Sequence, residues 1–259
     1  MKTAIVPGAC EGDPQAASRW HSYLAQLRVE LLLLLRQPEN VLVILILPVL
    51  LLVFFAGVKV LPSVRGRPID FLVPGILTLA LMSTGLVTLG ISTAYQRYYR
   101  VLKRLGGTPL RRGALVAAKA TSVLLIEVGQ VVLLLLIASL GFGWRGHGSP
   151  LLVVLVLMLG AFTFAAIGLT MAGALRAELT LGGANGLYLL FLVLGGIAVP
   201  IRQLPFFIQP IASALPPSAV SASLRALLEG RPFPTTSLAL LAGWALVSGA
   251  AAVFWFRWE

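Results

Sequence analysis

The sequence has few of the residues on which enzymes and metalloproteins depend. Of its 259 residues, 11% are charged, two are histidines and one is a cysteine. Cys10 has no second cysteine with which to form an intrachain disulfide or share a metal. His21, His147 and the carboxylates lack the spacing of metal ligands. We therefore expect no metal site and no catalytic residue in this chain.

Two sequence signals are also missing. None of the four lysines follows the glycine that a GxxxxGK[ST] phosphate loop requires, so we expect no ATP site of that kind. Residues 1–18 contain Pro7, Glu11, Asp13 and Pro14 instead of the apolar core of a secretory signal. We predict no cleaved signal, and we predict a flexible cytoplasmic tail over residues 1–18.

Apolar residues, by contrast, are abundant. The chain is 58% hydrophobic, with a mean hydropathy of +0.95. Runs of about 20 apolar residues recur without two-residue alternation, a pattern that predicts spanning helices and not barrel strands. The fold class is therefore an all-α polytopic membrane protein. The net charge of +11 is spread over segments that flank these runs, and no nucleic-acid-binding motif accompanies it. We expect the lipid bilayer, and no nucleic acid, as a partner.

The apolar runs predict six transmembrane helices in a domain over residues 41–256. The fifth follows the glycines at 182, 183 and 186, and small residues at positions 168 and 172, or 182 and 186, favour close helix approach. The approximate spans are 41–61, 71–94, 113–142, 151–175, the run ending near 199, and 237–256.

An amphipathic helix is predicted before the first span, over residues 19–37. His21, Gln26, Arg28 and Glu30 fall largely away from its apolar positions, which favours a helix lying in the membrane interface. The alternative is an early extension of the first span. The apolar residues at helical spacing are Trp20, Tyr23, Leu24, Leu27, Leu31 and Leu34.

The segment over residues 200–234 contains seven prolines and cannot form one continuous helix. Its FFIQPIASAL stretch is nevertheless too apolar for a solvated loop. Because bare non-helical backbone is not tolerated against lipid, we predict a pair of short helices that dip into the membrane surface or lie in protein. This would be an outer re-entrant segment before the sixth helix.

The distribution of basic residues predicts the orientation. With six spans, 13 Lys and Arg residues fall on the side of the termini and seven on the other side. Both termini are therefore expected in the cytoplasm. Much of this difference comes from RYYRVLKRLGGTPLRR, residues 97–112, between the second and third spans.

Glu127 is an acid predicted deep inside the third span, with Gln130 on the same helix face. A charge at the bilayer centre costs about 2.5 to 3.5 kcal/mol on insertion scales, so Glu127 must face protein or a wet cavity, or be protonated. It is either part of a transport path, for which Gln130 and Asn185 are further candidates, or an interhelical hydrogen-bonding group.

Three stretches in this order carry a family resemblance: FLVPGIL at 71–77, LKRLGGTPL at 102–110, and the proline-rich segment from Pro200 to Arg225. The sequence resembles the permeases of ABC-2 type transporters. That resemblance implies a multi-pass subunit of an ABC exporter in the cell membrane, moving a hydrophobic or amphipathic drug, lipid or glycan. It also implies two nucleotide-binding ATPase subunits, which hold ATP and Mg, and a second permease chain, identical or different. No cofactor would be bound by this chain.

The resemblance also implies residue roles. A coupling loop over residues 96–112 would dock on the ATPase, and the helix over residues 19–37 would be the connecting helix beside it. Members often carry acids in an ExE pattern where this chain has Gln96 and Tyr98. Alternatively, the basic residues of the loop only set the orientation of the protein in the membrane. The rival function is an ATP-independent secondary carrier that uses Glu127 as a proton-coupled group. The implied coupling residues are Leu102, Lys103, Arg104, Leu105, Gly106 and Pro109, and the connecting-helix residues are Trp20, Leu24, Leu27, Arg28 and Leu31.

Overall fold

The computed structural model describes residues 19–36, 42–57, 67–101, 112–197, 199–232 and 234–255. Across these ranges the chain is helical and contains no strand, which confirms the predicted all-α class. The predicted tail over residues 1–18 and the coupling residues between 102 and 109 lie outside the described ranges.

The helices are labelled α1 to α9 in chain order. Three of the long helices include a π-helical turn, at the start of α2, in the middle of α3 and at the end of α4. Their bounds are α1 Arg19–Leu35; α2 with a π-helical turn over Leu42–Ile46 and an α-helix over Leu47–Gly57; α3 Pro68–Tyr98; α4 Arg112–Leu136 with a π-helical turn over Ile137–Gly141; α5 Pro150–Ala174; α6 Ala177–Leu194; α7 Gln209–Ala214; α8 Pro216–Leu228; and α9 Thr235–Trp255.

Five helices in the described residues are long and apolar enough to cross a membrane: α3, α4 over Ala117–Gly141, α5, α6 and α9. The chain is thus a multi-pass membrane protein. The predicted first span is matched by α2, whose apolar part is described over Ile44–Gly57 and is shorter than a full crossing. Residues 58–66 lie outside the described ranges, so the count of six remains a prediction.

Helix α3 forms the centre of the bundle. Its most apolar window is 94% buried, whereas that of α9 is 17% buried. Helices α2, α4, α5 and α8 all pack against it. At the crossing with α5, a Cβ on Gly168 would lie 2.6 Å from the Gly85 carbonyl oxygen, so glycine lets the two backbones approach closely. This confirms the close approach predicted at position 168.

Helix α6 begins earlier than its glycines suggested. It starts at Ala177, after extended backbone at Leu175 and Arg176, and residues 182–186 lie inside the helix and not in a turn before it. A Cβ on Gly182 or Gly186 would meet nothing within 4 Å among the described residues. The glycines are tolerated because each costs a helix only about 1 kcal/mol.

The proline-rich segment contains the predicted pair of short helices, α7 and α8. Helix α8 packs against α3, α5 and α9. Its Arg225 donates to the Gly196 carbonyl oxygen at 2.7 Å and lies over the Phe71 ring, 3.8 Å from the centroid. The turn before α7 exposes Phe206 and Phe207, and α7 itself exposes Ile211. One helix of the pair therefore lies within the protein and the other presents apolar surface.

Candidate functional site

A buried ion pair joins α1 to α4. Lys119 Nζ lies 2.9 Å from Glu30 Oε2, and the two side chains are 7% and 5% exposed. Lys119 also donates to Gln96 Oε1 at 2.8 Å, and Gln26 donates to Glu30 Oε1 at 3.1 Å. We call Gln26, Glu30, Gln96 and Lys119 the polar network. It satisfies both buried charges and connects α1, α3 and α4 through side chains.

Helix α1 buries an acid against the bundle and exposes part of its apolar stripe. Glu30 and Leu34 are buried, whereas Trp20 and Leu24 are exposed. The ion pair to Lys119 holds Glu30 against α4, and two turns earlier on α1 Tyr23 Oη donates a 2.8 Å hydrogen bond to Thr121 Oγ1. The sequence placed Glu30 away from the apolar positions of α1, and the structure adds the partner on α4, Lys119, that accompanies its burial.

The other residues assigned to the connecting helix occupy the sides and outer face of α1. Leu27 and Leu31 are half-buried, and Arg28 is exposed. Trp20 stacks on Tyr23 with ring centroids 5.5 Å apart. An outer face with a tryptophan, leucines and an arginine is typical of a helix at a membrane interface.

A cavity of about 700 Å³ lies beside the polar network. Residues of α1, α3, α4 and α6 line it, including Glu30, Gln96, Lys119 and Asn185. The Asn185 side chain donates to the Leu181 carbonyl oxygen of its own helix at 2.9 Å. Asn185 therefore belongs to this cavity, and not to the surroundings of Glu127.

Gln130 makes interhelical hydrogen bonds of the kind that the sequence suggested for Glu127. Its side-chain amide donates to the Ile44 carbonyl oxygen of α2, and its Oε1 accepts from Thr84 Oγ1 of α3 at 3.2 Å. Glu127, one turn earlier, is 3% exposed. Its Oε1 has no hydrogen-bond partner within the described ranges. Two adjacent polar groups of α4 thus differ in how they are satisfied.

Glu127 lines a second cavity, of about 480 Å³, between α4 and α5. We call this cavity the crevice. Its remaining walls are almost entirely apolar, and Trp144 lies at the end near the loop between the two helices. The three predicted path residues therefore do not share one site: Asn185 lines the larger cavity, Glu127 lines the crevice, and Gln130 bonds to α2 and α3.

The end of α3 is anchored just before the basic loop. Arg97 donates to the Gly173 carbonyl oxygen and, at 2.5 Å, to that of Leu175, which ties α3 to the turn between α5 and α6. Tyr98 is exposed, whereas Gln96 is half-buried in the polar network. The predicted coupling residues Leu102, Lys103, Arg104, Leu105, Gly106 and Pro109 lie outside the described residues, between Val101 and Arg112.

Comparison with known proteins gives this architecture a family. The family model described as ABC-2 type transporter matches residues 21–228, from α1 to the end of α8. The chain belongs to the ABC-2 type transporter family. It is also similar to the ABC transporter G family member 20 of Dictyostelium discoideum, at 27% identity over 174 residues. That match covers 65% of this chain and 24% of the relative, so the chain spans about a quarter of the relative's length.

The ABC-2 family is a family of transporters, and its membrane subunits generally work with ATPase subunits. Sequence reasoning noted Glu30 and Lys119 singly but missed their pairing. The available signal was one acid and one base, each isolated in an apolar segment. Opposite charges that must both leave water are best satisfied by each other.

Proposed function

We propose that this ABC-2 family chain is the membrane permease subunit of an ATP-driven exporter in the cell membrane. It moves a hydrophobic or amphipathic solute, of the drug, lipid or glycan class, out of the cytoplasm. ATP and Mg are bound and used by separate ATPase subunits, and a second permease chain, identical or different, completes the transport path. The observation that carries this proposal is the family match over residues 21–228.

The proposed topology has six spans, with α2 completing the first beyond the described residues. Both termini face the cytoplasm because the basic loop after α3 is retained there. On this topology α1 lies in the cytoplasmic interface, and the segment over residues 200–234 re-enters from the outer side. The packing of α8 into the bundle, with Arg225 over Phe71, supports a segment partly enclosed in protein.

The proposed coupling route runs from the loop over residues 96–112 into the bundle. Leu102, Leu105, Gly106 and Pro109 shape the docking element, and Lys103 and Arg104 add charge. This loop leaves α3 shortly after Gln96 and enters α4 shortly before Lys119. Because Lys119 contacts both Gln96 and Glu30, a displacement of the loop would move α1, α3 and α4 together.

The test is to purify the chain with its native partners and measure ATPase activity and vesicle export. We expect a nucleotide-binding subunit to co-purify. Leu105→Asp should place a charge in the docking element, release that subunit and abolish ATP-driven export. Phe206→Asp is the matched control, because Phe206 is 87% exposed in the segment assigned to the opposite side. Equal behaviour of the two variants would contradict the proposed docking role.

The rival function is a secondary carrier in which Glu127 exchanges protons. The unpartnered Oε1 of this buried acid favours it. Inside-out vesicles separate the two functions when they are supplied with ATP and an uncoupler that removes the proton gradient. The permease proposal expects export to continue. Transport that stops under these conditions, and that needs no ATPase subunit, would establish the carrier instead.

A further inference from the structure

The crevice has the form of a binding site for a small amphipathic molecule. Its volume of about 480 Å³ falls within the range of about 300–1,000 Å³ that ligand pockets occupy. One wall is α4 and the other is α5, and Trp144 of the loop between them and Leu228 of α8 also line the crevice. The helical walls are formed by Glu127, Val128, Val131, Val132 and Leu135 of α4 and by Val153, Val154, Leu157, Met158 and Ala161 of α5.

The lip of the crevice is apolar and accessible. Val128, Val132 and Val154 line it and are 44%, 50% and 50% exposed. These residues lie in spanning segments, so the surface they expose faces lipid or another chain. An apolar molecule dissolved in the bilayer could therefore enter without crossing a polar barrier.

Glu127 is the polar group at the inner wall of this crevice. No basic side chain lines the crevice within the described ranges. Lys119 lies two turns away on α4, but its ammonium group already pairs with Glu30 and donates to Gln96. The Gln130 side chain already donates to the Ile44 carbonyl oxygen and accepts from Thr84. Within the part of the chain that the structure describes, an acid thus lines an apolar chamber without a counter-ion.

We propose that the crevice binds a lipophilic amine. Its ammonium group donates to the Glu127 carboxylate, and its hydrocarbon body lies between the valines of α4 and α5. A cation is favoured because a carboxylate removed from water needs a positive partner, and an ammonium supplies both the charge and the hydrogen bonds. The apolar walls select a hydrocarbon body over a hydrated ion.

This inference concerns binding to the chain and does not depend on the proposed function. The crevice is separate from the cavity beside the polar network, and the amine need not be the exported solute. A failure of ATP-driven export would leave the binding prediction intact, and a failure of binding would leave the permease proposal intact.

The experiment measures saturable binding of radiolabelled dodecylamine to the full chain in nanodiscs of zwitterionic lipid, after subtraction of empty nanodiscs. Glu127→Gln should weaken binding about tenfold or more, because it removes the charge while keeping the shape. Glu178→Gln is the control, since Glu178 is exposed at the start of α6. Dodecanol, neutral and of equal chain length, should compete about tenfold less well than the amine.

A second pair of variants tests the location. Val154→Phe should fill the crevice and block binding, whereas Leu155→Phe adds the same ring at a neighbouring α5 residue that does not line it and should leave binding unchanged. Size-exclusion profiles matching the parent chain show that each variant is folded. The proposal is overturned if dodecylamine shows no saturable binding, if Glu127→Gln binds it as the parent does, or if dodecanol competes equally well.

Discussion

Glu30 of α1 and Glu127 of α4 are both buried acids, yet their surroundings differ. Glu30 meets Lys119 at 2.9 Å and also accepts from Gln26. Glu127 has an oxygen with no partner within the described ranges and faces an apolar crevice. A buried acid in a membrane bundle can therefore serve one of two roles. A paired acid fixes helices to one another, and an unpaired acid remains available to something outside the chain.

The largest effect should follow from breaking the paired site. Lys119→Met leaves Glu30 buried without its counter-ion, which costs about 3–5 kcal/mol. We expect a strong fall in the apparent melting temperature of the detergent-solubilised chain, read by fluorescence-detected size exclusion. Arg28→Met is the control, because Arg28 is an exposed base of α1 and its loss should change little.

The double variant Glu30→Leu with Lys119→Met sharpens the same point. Replacing a whole buried ion pair by apolar side chains is often neutral or stabilising. The double variant should recover most of the melting temperature that Lys119→Met loses. A double variant as unstable as the single one would show that Lys119 acts through contacts other than Glu30.

A smaller effect is expected at Gln130, the satisfied polar group one turn from Glu127. Gln130→Leu leaves the Ile44 carbonyl oxygen without its side-chain donor and removes the link to Thr84, which should cost about 1–3 kcal/mol. The same melting assay measures it, with the exposed Gln203→Leu as the matched control. If Gln130→Leu lowered the melting temperature as much as Lys119→Met does, the neutral hydrogen bonds of Gln130 would stabilise the chain as much as the buried ion pair, which would contradict this prediction.

The smallest effect on stability is expected at Glu127 itself. Glu127→Gln keeps the shape of a buried side chain whose Oε1 has no partner among the described residues, so the melting temperature should stay the same or rise slightly. Glu178→Gln provides the exposed reference. If Glu127→Gln lowered the melting temperature as far as Lys119→Met does, Glu127 would be a paired structural acid and the contrast between the two sites would fail.

Much of the fold could be read from hydrophobic runs because a bilayer imposes length and composition on every crossing. The limits of α3, α4, α5 and α9 lie within a few residues of the predicted spans. The helix pair in the proline-rich segment was predictable because proline breaks helices and lipid excludes bare backbone. The start of α6 was not, because glycines that signal a turn in water are tolerated inside an apolar helix.

The candidate site was less predictable than the fold. The position of Glu127 within a span is a property of the sequence, but whether its Oε1 has a partner among the described residues depends on which side chains α4 meets. The polar network depends on residues 89 positions apart, which no local pattern connects. The burial of Glu30 on α1 could not be predicted for the same reason, because its partner Lys119 lies on α4.

The sequence by itself determined that this chain is a multi-pass helical membrane protein, and its motifs indicated the ABC-2 type transporter family. The first follows from composition and from the length of the apolar runs, because a bilayer imposes both on every crossing. The second is a resemblance carried by three stretches of sequence. Only the tertiary structure decided that Lys119 pairs with Glu30, that Gln130 bridges α2 and α3, and that Glu127 faces an apolar crevice. Those outcomes depend on the rotation and packing of whole helices, through which distant residues either find a partner or are left without one.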